Sequence, residues 1–115
     1  MMIYKVCSKP VWEETRQLTS WNGSSHDLRD GFIHFSTASQ LEGTVRKHYA
    51  GQTNLMLLAI DADTLGEALK WEPSRGGDLF PHLYGPLPIS TVASALDLAL
   101  VPDGTIDDCW LLPDE

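Results

Sequence analysis

The chain has 115 residues, 43% of them hydrophobic and 21% charged, and its 8 Lys and Arg against 16 Asp and Glu give a formal net charge of −8. That length suits one domain, residues 1–115, with a core that needs neither metal nor disulfide. A surface of that sign repels phosphate backbones and argues against nucleic acid as a partner; the small basic cluster Arg46-Lys47-His48 reads as the cationic last turn of a helix.

Ile3 to Cys7 alternates and is β-prone, which predicts a short first strand. Pro10 suits the first turn of a helix capped by Ser8, with Val11, Thr15 and Leu18 on one face and Trp12 beside them in the core. Thr19 to Gly31 is rich in Gly, Ser, Asn and Asp and reads as a loop, with His26 facing solvent. Phe32 to Ser36 reads as a second strand with Phe32, His34 and Ser36 on one face and Ile33 and Phe35 on the other. Thr37-Ala38-Ser39-Gln40 has the form of a capping box, and the helix it opens carries Leu41, Val45, His48 and Tyr49 on one stripe and ends near Gly51. His34 and Ser36 therefore stand where a strand enters a helix N-terminus, a place with free backbone N–H groups for a polar or anionic ligand. The alternative for His34 is a histidine at the edge of the core, bonded to a neighbouring carbonyl.

Asn54 to Asp61 is apolar without alternation, as for a strand covered on both faces, and reads as the centre of the sheet. Asp61 or Asp63 caps a helical turn near Thr64 to Ala68. Trp71 to Leu87 then packs Glu72, His82 and Tyr84 among Gly76, Gly77 and Gly85 and Pro73, Pro81 and Pro86. Proline has no ladder N–H and glycine loses the most entropy on ordering, so the stretch reads as a stiff loop and not as a central strand. Stiff loops concentrate binding groups; the competing reading is a structural turn whose Phe80, Leu83 and Tyr84 plug the core. Thr91 to Val101 fits a strand with Val92, Leu96, Leu98 and Leu100 on alternate positions, although its Ala and Leu content also permits a helix. The strand is favoured by the turn signal Pro102-Asp103-Gly104-Thr105, after which Ile106 to Leu111 can return as its partner.

The longest apolar run, Leu55 to Ile60, is far too short to span a bilayer, and Met1 to Lys5 lacks the pattern of a secretory signal. A cytoplasmic chain with Cys7 and Cys109 as free thiols is expected. No phosphate-binding glycine loop, CxxC pair or Gly-x-Ser-x-Gly elbow occurs. His26, His34, His82 and Glu72 show no recognised metal-ligand spacing, so no metal is expected. What remains is a polar set from two places: His34, Ser36 and Thr37 at the strand–helix junction, and Glu72, His82, Tyr84 and Gly85 in the Pro/Gly stretch. Histidine and hydroxyl groups bond sugar oxygens, tyrosine stacks on a ring, and a carboxylate steadies a cationic transition state.

Ile3-Tyr4, Gly31-Phe32-Ile33-His34-Phe35-Ser36, Leu57-Leu58-Ala59-Ile60-Asp61, Lys70-Trp71-Glu72 and Phe80-Pro81-His82-Leu83-Tyr84-Gly85-Pro86-Leu87 resemble, in order and spacing, the domain of unknown function 952 family. The resemblance implies an α+β fold similar to the ADP-ribosyltransferases: a split, mostly antiparallel sheet with a few short helices and a cleft for NAD. By the same resemblance His34 looks like a ribose-contacting residue, Tyr84 a stacking group and Glu72 the carboxylate that assists glycosidic cleavage, while Lys5 stands where many members carry His. The expected function is transfer or hydrolysis on NAD or a related nucleotide, with Glu72, His34 and His82 catalytic and Ser36, Thr37, Tyr84 and Gly85 on the ligand. NAD enters as substrate or ligand, with no cofactor beyond it. A non-catalytic nucleotide-binding module and a small hydrolase or isomerase using Glu72 and His82 as an acid/base pair are the alternatives.

Overall fold

The computed structural model describes residues 1–49, 52–74 and 77–98. Strand β1 (Met2–Ser8) leads into helix α1 (Lys9–Thr15), where Ser8 accepts the Val11 N–H at 3.3 Å and Pro10 occupies the first turn. The helix stops at Thr15, short of Leu18. Trp12 and Thr15 are its buried residues, so the apolar stripe expected through Val11 and Leu18 is turned toward Trp12.

The segment expected to be a loop is ordered: strand β2 (Ser20–Trp21) and helix α2 (Ser25–Asp30) lie within it. Asp27 reaches back to the Ser24 N–H at 2.9 Å, and Gly31 ends the helix at φ 86°, a left-handed conformation glycine adopts without strain. Both signals are local, but the polar composition around them masked the helix. Strand β3 (Ile33–His34) is shorter than expected, and Ser36 continues it only as a single bridge to Tyr4. Helix α3 (Ala38–His48) opens on the expected box, the Gln40 side chain accepting the Thr37 N–H at 3.0 Å, and buries Leu41 and Val45.

Strand β4 (Leu55–Asp61) lies, as expected, at the centre of a sheet, paired antiparallel with β1 and with β8 (Val92–Leu98). Between β4 and β5 (Leu69–Pro73) the Asp61 carboxylate caps a 3₁₀ turn at Ala62–Thr64. Strand β6 (Leu79–Leu83) is the middle strand of a second antiparallel sheet, ordered β3-β6-β5, and β7 (Leu87–Pro88) pairs with β2. A central strand through Pro81 corrects the loop reading. The Pro81 carbonyl accepts the Phe35 N–H at 3.0 Å, beyond the two paired residues of β3. A strand residue directs its N and its C=O to the same neighbour, so the missing donor falls on the β3 side and the ladder to β5 is intact.

Strand β8 confirms the strand reading but divides its apolar face. A register shift between Ala59 and Ile60 pairs Ile60 with Val92 and Ala59 with Ser94. Val92 thereby packs with Ala95 against one face of the sheet, and Leu98 lies on the other. The proposed turn and return strand beyond Val101, Cys109 and Gly51 lie outside the described residues.

Alternation along β1 and β4 sends Ile3, Cys7, Met56, Leu58 and Ile60 to a core shared with Trp21, Ile33, Leu83 and Leu87. Tyr4, Val6, Leu55 and Leu57 face the other way, onto Leu41 and Val45 of α3. The two three-stranded sheets meet where Tyr4 and Ser36 exchange backbone hydrogen bonds of 2.8 and 2.9 Å. This is a mixed α+β architecture with antiparallel sheets and few helices. No helix among the described residues is long and apolar enough to cross a membrane.

Candidate functional site

At that meeting of sheets lies a pocket of about 380 Å³, bordered by Lys5 on β1, His26 and Asp30 on α2, His34 and Ser36, the last turns of α3, and His82 on β6. His34 and His82 are register partners across β3 and β6, so their side chains leave the same face, with ring centroids 5.4 Å apart. Phe32, two residues before His34 and thus on that face, stacks on His82 at 4.2 Å.

His82 is almost fully buried. Its Nδ1 lies 2.9 Å from Glu72 Oε1, which also accepts the Tyr84 hydroxyl at 2.7 Å. The hydrogen bond to His82, then that from Tyr84, holds the Glu72 carboxyl below its usual range, and the same bond raises the Tyr84 phenol. With Nδ1 committed to the carboxylate, Nε2 is the ring nitrogen a ligand can use. The structure thus joins Glu72, His82 and Tyr84, but among the described residues only His82 of the three borders the pocket. Glu72 is linked to the pocket through the imidazole it bonds, and Tyr84 through Glu72.

Ser36 also borders the pocket, its hydroxyl 2.7 Å from that of Thr44 on α3. Thr37 is spent on starting α3: its N–H is bonded to Gln40 and its hydroxyl lies 3.2 Å from that of Ser39. Gly85, at φ 155°, lines a separate shallow cleft with Gly31 and Phe32. Neither residue borders the pocket of His34.

Behind His34 lies a group the sequence reading passed over. Asp27 is fully buried and takes five donors: the Ser24 N–H and hydroxyl, the Lys5 ammonium at 2.7 Å, and the His34 N–H and Nδ1 at 3.0 and 2.6 Å. Burial pushes its carboxyl up, but the His34 hydrogen bond and the Lys5 cation outweigh it and hold the group well below the usual range. Lys5 is buried as well; desolvation lowers its amine and Asp27 opposes that shift. A Cβ on Gly23, whose φ is 96°, would lie 2.6 Å from Asp27, so glycine is required for the carboxylate to sit here. Cys7, one pleat on from Lys5, has its thiol pushed up to about 11 by burial against the weaker pull of Lys5, an inert core sulfur.

His26, expected in solvent, is half-buried on the pocket wall with its ring 4.5 Å from that of His34. Burial, then His34, presses its imidazole toward the neutral form. The signals for Asp27, His26 and Asp30 were the Ser24-x-x-Asp27 capping pattern and the spacing of four between His26, Asp30 and His34; Lys5 had none.

An α+β chain of antiparallel sheets with a histidine-lined pocket between them is the class these features define. The model of the family described as protein of unknown function (DUF952) matches residues 6–95, and the chain belongs to that family. Among solved structures it is similar to protein CC0527 from Caulobacter crescentus. The crystal structure of CC0527 is 48% identical with a TM-score of 0.88, over 93% of this chain and 94% of that one. The solution NMR structure of CC0527 is 48% identical with a TM-score of 0.82, over 92% and 91%. No curated protein matches the chain.

Proposed function

We propose that this protein is an enzyme that cleaves the glycosidic bond of NAD or a related nucleotide in an ADP-ribosyltransferase-like cleft between its two three-stranded sheets. The observation that carries the reading is the pair His34 and His82, set side by side on β3 and β6 and opening on one pocket. The volume of that pocket falls within the range of small-molecule sites. Lys47, in the last turn of α3, borders the pocket as a cation for a pyrophosphate, and the Ser36 and Thr44 hydroxyls, 2.7 Å apart, border it as partners for a ribose.

In this reading His82, oriented by Glu72, is the general base. Water attacks the ribose C1′ and gives its proton to His82 Nε2. The C–N bond to nicotinamide breaks and its electron pair neutralises the pyridinium nitrogen. Glu72, 2.9 Å from Nδ1, fixes the ring's orientation and tautomer and leaves Nε2 as the nitrogen toward the pocket. The same contact favours a second reading, a hydrolase or isomerase that uses the Glu72–His82 pair on another small substrate.

Incubation with NAD, followed by chromatographic detection of nicotinamide, tests the first reading. Release is expected from the native protein, with a fall of about 100-fold or more in His82→Gln, the scale of general-base loss. NAD binding seen by NMR titration without release would leave a nucleotide-binding module. Neither binding nor release would end the nucleotide reading and move the Glu72–His82 pair to other substrates.

A further inference from the structure

We propose that His26, Asp30 and His34 form a binding site for one divalent zinc-class cation on the wall of the pocket. The three come from two elements joined by the tight Gly31 turn: His26 and Asp30 lie one helical turn apart on α2, and His34 follows on β3. One donor atom from each lies within 4.8 Å of the other two. Tetrahedral zinc with bonds of about 2.1 Å separates its ligand atoms by about 3.4 Å. Two of the three separations already bracket that spacing, for Asp30 Oδ2 lies 3.0 Å from His34 Nε2 and 3.5 Å from His26 Nε2.

The surroundings of His34 are those of a metal ligand. Its Nδ1 is bonded at 2.6 Å to Asp27, a buried carboxylate that does not itself reach the pocket. That bond places a proton on Nδ1 and aims Nε2 at Asp30, the carboxylate–histidine support found behind zinc ligands. Both His34 nitrogens face carboxylate oxygens. Two ring protons satisfy that arrangement, and so does one proton on Nδ1 with a cation between Nε2 and Asp30. His26 reaches the same point with Nε2. Its Nδ1 contacts Arg29, which also lies 3.7 Å from Asp30 Oδ1 and is 70% exposed, so ligation through Nε2 requires the ring proton on Nδ1 and Arg29 turned out toward solvent. Two imidazoles and one carboxylate suit zinc among the common divalent ions and leave a fourth position open to the pocket. A cation there would polarise a carbonyl or phosphoryl oxygen of whatever occupies the pocket.

Calorimetric titration of the full chain with zinc chloride near neutral pH tests the site, with Cys109→Ser as background to remove a competing thiolate. The visible spectrum of the cobalt(II) form reads the ligand set. The expected result is one cation per chain, a cobalt spectrum of four-coordinate type, and affinity reduced about 10-fold or more in Asp30→Asn and in His26→Ala, both folded by circular dichroism. No saturable binding, or binding that neither variant weakens, overturns the proposal. Titration without nucleotide separates this result from the nucleotide reading, and nicotinamide release measured in EDTA tests that reading without the cation.

Discussion

A lysine and an aspartate buried together are costly unless each satisfies the other, and Lys5 with Asp27 meets that condition at 2.7 Å. Removing one partner strands a charge in the core. Asp27→Asn is expected to destabilise the fold by about 3–5 kcal/mol, whereas adding Lys5→Met to it recovers part of the loss, because the stranded ammonium is removed while the amide oxygen still accepts from Ser24 and His34. Urea midpoints of the three proteins check this; equal loss in the single and double variants would mean that Asp27 acts mainly through Ser24 and His34. Asp27 links the core to the pocket, since the carboxylate that neutralises Lys5 also orients His34. The pair was not legible in the sequence. Lys5 read as one residue of an alternating strand and Asp27 as part of a polar loop, and nothing local brings positions so far apart into contact.

At the scale of elements, the strands that carry the site depend on β4. Leu58 is fully buried on the face shared by both sheets, and Leu57 faces α3. Leu58→Ala is expected to cost about 2–5 kcal/mol by thermal or denaturant unfolding, the range for a leucine removed from a packed core. A loss below 1 kcal/mol, on the order of a surface change, would place the centre of the core elsewhere. β4, α1 and α3 were legible because their signals are local: an unbroken apolar run, a serine ahead of proline, and a Thr-x-x-Gln box. β6 was not. Its proline counted against a central strand, and only the position of β3, ending where the Pro81 donor is missing, makes it tolerable. The bulge opposite Ala59 and Ile60 likewise exists only in the pairing of β8 with β4, and it sends Val92 to a different face from Leu98.

For the molecule as a whole, acid is the condition that exposes how the site is built. The Asp27 and Glu72 carboxyls are both held below their ordinary values by native partners. As pH falls below about 4, the unfolded chain takes up protons on these groups that the folded chain refuses, so stability drops with falling pH. Above that value their contribution is fully present. Urea unfolding at a series of pH values from neutral to about 3 is expected to show the midpoint falling on the acid side. The Lys5→Met/Asp27→Asn protein should fall less steeply; an identical slope would assign the acid sensitivity to other carboxylates.

The sequence by itself determined the periodic elements, their caps, the strand–helix junction at His34 and the family, since each is written in neighbouring residues or in a run of motifs. The tertiary structure decided that His82 stands beside His34 while Glu72 and Tyr84 remain behind it. It also brought Lys5, Asp30 and His26 to the same pocket wall, with Asp27 buried behind His34. The reason is physical. Helical and strand periods are set within a few residues, whereas a charge becomes affordable in a core, and a proline in a sheet, only through the partner that packing places next to it.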